Sequence, residues 1–243
     1  MIPVLAQAST TICDVLPRYQ LERMELAATR IVDCMHALHQ AGDNLVAAAH
    51  RGSGEFLEWE HYPTSDVYDP QSRAQYYFHA HPPDDRADPD YGHFHTFLKL
   101  PAGGAHVASD PAATDAVENS LCHLVAISMT AAGLPERIFT TNRWVTGESW
   151  RPASEVIALL DRFSIDLEYP SRSLNSWLTE MLVLFRPQIE SLLVQRDITV
   201  GQWQNGYRDI DAFENRELEV TSSMRISLDD HIDWLDHVLT QKA

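Results

Sequence analysis

The chain has 243 residues, 44% of them hydrophobic, which is enough to build a sizeable core. Its 35 acidic and 18 basic side chains leave a formal net charge of −17. That surplus excludes nucleic-acid binding, which needs clustered cations to neutralise phosphates, and it opposes docking on an anionic membrane.

Leu16 to His50 reads as helix. Pro17 suits an early helical position, and Leu21, Met24, Ala28, Ile31, Met35 and Leu38 recur at three- and four-residue steps. Gly42 marks a break, with Asn44 to His50 as a second short helical piece. The middle third changes period. Phe56 to Tyr62, Tyr76 to His81 and Tyr91 to Leu100 alternate large and polar residues between Pro, Gly, Asp and Ser clusters, which predicts strands. Leu121 to Met129 fits a buried strand or a helix, and Ile138 to Thr146 is β-branched and aromatic and predicts another strand. The last third returns to helical spacing over Pro152 to Phe163, over Leu174 to Gln195 with Pro187 kinking or dividing it, and over Leu228 to Gln241. The last of these opens on Ser227, Asp229 and Asp230, suited to a helix N-terminus. The expectation is one α+β domain over residues 1–243: helical to 50, mainly antiparallel strands from 51 to 150, and helical from 151.

Several chemistries find no local support. Lysine occurs only as Lys99 and Lys242, a poor basis for a Schiff-base enzyme, and GxxxxGK[ST], GxGxxG and GxSxG are all missing. Cys13, Cys34 and Cys122 lack CxxC spacing and read as reduced thiols, and no apolar run reaches the length of a membrane span. A cytoplasmic protein without a membrane partner is expected.

Four of the twelve histidines fall within seventeen residues, as His79-Ala80-His81 and His93-Phe94-His95. Alternate residues of a strand share a face, so each HxH places two imidazoles side by side. Paired as a hairpin across the intervening PPDDRADPDYG, the two segments gather four imidazoles on one patch, a donor set for a divalent transition metal, iron or zinc first. Glu58, or Glu60 beside it, offers a carboxylate from the preceding predicted strand, with Glu60 placed for acid–base work. Arg143, in the predicted strand interior, is expected either to orient an anionic substrate or to pair with a structural carboxylate. His123 adds a further ligand if its segment is a strand. The reading is a metal-dependent enzyme that activates water or dioxygen toward a small, anionic substrate.

Three alternatives stand beside it. The aromatics around the histidines suit a haem with one histidine as axial ligand. A closed four-histidine set, or an acidic surface that meets a partner protein, makes a non-catalytic binding protein. Asp33, His36 and His39 on the first helix, with His231, Asp233 and His237 on the last, form a second and weaker constellation.

Overall fold

The computed structural model describes residues 16–82, 90–100, 120–207 and 209–241. Among these residues six strands form one antiparallel sheet in which each strand pairs with the next in chain order: β1 (Tyr62–Tyr68), β2 (Ala74–His79), β3 (Gly92–Leu100), β4 (Ser120–Met129), β5 (Pro135–Thr141) and β6 (Val220–Arg225). Among the described residues seven α-helices flank it in sequence: α1 (Arg18–Gln40), α2 (Leu45–His50), α3 (Arg143–Thr146), α4 (Ala153–Leu159), α5 (Arg172–Leu184), α6 (Arg186–Gly206) and α7 (Leu228–Gln241). The fold is α+β.

Alternation sorts each strand into two faces. Tyr76 and Phe78 of β2, Phe94 and Leu98 of β3, Val125 and Ile127 of β4, Ile138 of β5 and Met224 of β6 join a core cluster with the apolar stripes of α1, α5 and α6. Trp177 of α5 is fully buried there, 6.0 Å from the Phe94 ring. Helix α1 contributes Leu21, Met24, Ala28, Ile31 and Leu38 at the spacing that puts them on one side. Gly92 opens β3 at φ +154°. A Cβ there would lie 2.3 Å from the Phe78 ring and 2.7 Å from the His79 carbonyl oxygen, so only glycine lets β3 approach β2 beside the histidines.

Of the two readings open for Leu121 to Met129, the strand is the one formed. Other elements differ from their sequence-based expectation or sharpen it. The segment before β1 stays a turn until Tyr62: Trp59 takes φ +72°, and the Tyr62 hydroxyl holds the turn by accepting from the Leu57 N–H at 2.5 Å and donating to the Leu57 carbonyl at 3.1 Å. Strand β5 ends at Thr141, because the Asn142 side chain caps a single helical turn, α3, by accepting from the Arg143 N–H at 2.9 Å. The run around Pro187 divides at Phe185, with proline in the first turn of α6 where its missing N–H costs nothing. Strand β6 stands in a region expected to be helical. No helix among the described residues is long and apolar enough to cross a membrane. Cys13 and the acidic stretch at 83–89 lie outside the described residues.

Candidate metal centre

The opposite face of β2 and β3 carries Gln75, Tyr77 and His79 against Phe97, His95 and His93. The register pairs Tyr77 with His95 and His79 with His93. The two HxH segments therefore meet as antiparallel neighbours, and the imidazoles of His79, His93 and His95 converge. One ligand atom from each lies within 4.8 Å of the others, and all three side chains are buried. Their group can hold a metal ion. Nε2 of His79 and Nε2 of His93 are 2.8 Å apart, a separation at which two ring nitrogens share either a proton or a cation. A divalent ion with Zn–N-type bonds of about 2.0–2.1 Å spaces its nitrogens only slightly wider, at roughly 3.0–3.4 Å.

Two of the three rings are oriented by neighbours that leave one nitrogen for the centre. Asp90 faces His93 Nδ1 with both carboxylate oxygens, at 3.3 and 3.2 Å. A carboxylate only accepts, so the proton sits on Nδ1 and the lone pair on Nε2. Asp90 is itself held by the Ser128 hydroxyl at 2.6 Å and by Arg137 Nη2 at 3.2 Å, while Arg137 Nε donates to Ser128 Oγ at 3.1 Å. These donors keep the Asp90 carboxyl well below the usual carboxylate range even though burial pushes the other way. His95 Nδ1 lies 3.0 Å from His123 Nε2. His123 reaches this face because β4 bulges: Thr96 pairs with Val125 but Phe97 pairs with His123, so Leu124 is extra and the alternation resets. Burial, with Arg196 nearby, holds His123 down to about 3, so it is a neutral imidazole at any physiological pH.

Beneath His123, Glu148 is buried and accepts the His123 backbone N–H at 2.8 Å through Oε2, while Oε1 has no partner among the described residues. Burial outweighs the pull of Arg196 and raises this carboxyl from 4.5 to about 7. The folded chain then keeps a proton that the unfolded chain has lost, so this group makes stability fall as pH rises through about 4.5 to 7. Glu148→Gln should leave metal-free stability near pH 4 almost unchanged and raise it near pH 8 by on the order of 3 kcal/mol in urea unfolding. His123 titrates with the opposite sign between about 3 and 6.5. Variant and parent must therefore be compared at each pH.

The other residues marked in the sequence fall elsewhere. His81 lies just past the end of β2, outside the triad, with Nε2 3.3 Å from His79 Nε2 and its ring parallel to that of His93 at 5.3 Å. Glu58 and Glu60 are exposed in the turn before β1, and no carboxylate among the described residues joins the triad. Arg143 lies in α3, where Nη2 contacts Glu214 at 2.8 Å and Asp211 at 3.3 Å, which is the structural pairing. His36 and His237 are bound to Gln40 and Gln241 on exposed helix faces, and His231 is stacked between Phe185 and Trp234. Asp90, Ser128 and Arg137 were not singled out by sequence. The Asp90-x-x-His93 spacing was the available signal.

Asp90→Asn keeps the side chain's shape but weakens the acceptor facing His93. It should lower metal affinity about 10–100-fold with the fold retained, as competition against a chromophoric chelator would show.

No curated protein and no solved structure shows significant similarity to the chain. Residues 25–226, more than four-fifths of the chain, match the family described as Domain of unknown function (DUF6969), and the chain belongs to that family.

Proposed function

We propose that the protein is a metal-dependent enzyme whose divalent ion, zinc or iron, is held by His79, His93 and His95. The observation that carries this reading is the convergence of three buried imidazole nitrogens within 4.8 Å, two of them set by Asp90 and His123. Isolated buried histidines satisfy themselves singly on backbone groups, as His231 does on the Leu184 carbonyl. Three converging nitrogens with oriented second nitrogens are the arrangement of a ligand set. A haem would need a planar slot with one axial nitrogen or two opposed ones, and nitrogens gathered on one point do not supply it.

Three neutral donors leave the divalent charge undiminished in a buried setting, which supports a small anionic substrate now that Arg143 is engaged elsewhere. All three donors rise from one sheet face, so the remaining coordination positions point away from the sheet. When bound, such an ion lowers the pKa of a coordinated water or accepts dioxygen; three histidines without a described carboxylate favour the water chemistry. The chain's own residues hold the rings in place, keep Nε2 of His93 deprotonated through Asp90, and wall the face with Tyr77, Phe97 and Phe139.

A closed, non-catalytic site is favoured by one observation, the 3.3 Å approach of His81 to His79. Cobalt(II)-substituted protein titrated with azide separates the two. An open position gives a saturable change in the visible bands. Spectra that stay constant in azide, with one cobalt per chain, would establish the closed site.

A further inference from the structure

We infer that Tyr77 orients the ligand of this centre, its phenol donating a hydrogen bond to the outer atom of a small oxygen- or nitrogen-terminated anion. This rests on the open-site reading above. Tyr77 stands on the histidine face, directly across from His95 and two residues before His79, with its ring centre 5.2 Å from the His95 ring and 5.4 Å from the His79 ring. A tyrosine side chain reaches farther from the sheet than an imidazole. That extra reach would carry its hydroxyl above the level of the donor nitrogens, to the side on which the open-site reading places the coordination positions not filled by protein.

The ring is fixed from both sides. His61 lies parallel to it at 3.6 Å and 9°, and Phe97 packs at 5.5 Å. His61 is held in turn by Asp66 at 3.0 Å, and Asp66 accepts from Gln75 Nε2 at 2.8 Å. Asp66 takes φ +45°, a backbone state uncommon for a non-glycine residue, at the irregular stretch of β1. This scaffolding immobilises a phenol whose hydroxyl bonds no described residue. A phenol is a neutral donor at neutral pH. A fixed donor of this kind beside a metal position discriminates by geometry, because only a ligand with an acceptor at its far end completes the bond.

The test uses the full chain, metal-free and reconstituted with cobalt(II), with azide as the probe. Tyr77→Phe should retain one cobalt per chain and unchanged bands without azide, while the azide dissociation constant rises about tenfold, the loss of one hydrogen bond to a charged acceptor. His61→Ala should give a smaller rise, by freeing the ring. Azide affinity unchanged in Tyr77→Phe would overturn the assignment while leaving the metal centre in place, and loss of cobalt from that variant would overturn it by making Tyr77 a structural support of the centre. A parent protein that takes up cobalt but ignores azide brings down the open-site reading, and this inference with it.

Discussion

His93→Ala should abolish stoichiometric metal binding. His93 is the ring most tightly built into the centre: its Nε2 lies 2.8 Å from that of His79, its Nδ1 faces Asp90, and Phe139 meets its ring edge at 5.2 Å. Truncation leaves two imidazoles and removes the link through which Asp90 acts. The affinity loss should exceed the roughly 10–100-fold that follows from changing an outer partner. Elemental analysis of untagged protein after exposure to zinc, and separately to iron(II), checks this. The parent should hold one ion per chain and His93→Ala less than about a tenth of that. His79→Ala and His95→Ala should behave alike. His36→Ala and His237→Ala, on exposed helix faces, should keep full occupancy. His81→Ala should also keep it, because His81 lies outside the triad.

Phe94→Ala should be the most destabilising single change beside the site, by about 3–5 kcal/mol in urea unfolding. Phe94 sits between two ligands in sequence but points the other way. It is fully buried against Trp177, Tyr76 and Phe78 on the helix-packed face. Removing its ring opens a cavity in the layer that fixes β3 without touching an imidazole. Phe94→Leu, which fills more of the space, should retain the fold and one ion per chain with a smaller loss of stability. Metal loss in folded Phe94→Leu would show that the two faces are not independent.

Strand alternation is a local property, and it made the heart of this site readable. HxH on two neighbouring extended segments put His79, His93 and His95 together because a period of two needs no knowledge of distant contacts. The supporting parts needed such knowledge. Asp90 acquires its role from Ser128 and Arg137, which come from β4 and β5, and His123 turns inward only through a bulge that residue type does not announce. EFLEWEHY alternates and so suggests a strand carrying Glu58 and Glu60, whereas the Tyr62 hydroxyl holds that stretch as a turn. Arg143 read as strand because IFTTNRWVT is β-branched; the Asn142 cap overrides that propensity. Strand β6 is not legible in the sequence because VTSSMR carries small polar residues, whose hydroxyls are used in pairing: Thr140 with Thr221 at 2.8 Å and with Ser222 at 2.6 Å.

The most direct measurement is metal-edge X-ray absorption on untagged protein loaded with one equivalent of zinc or iron(II). The account predicts three imidazole nitrogens at about 2.0–2.1 Å, seen through their outer-ring scattering, together with at least one exchangeable oxygen donor that lacks such ring scattering. A first shell of sulfur, a shell with fewer than three histidines, or an ion that washes away from correctly folded protein would contradict it.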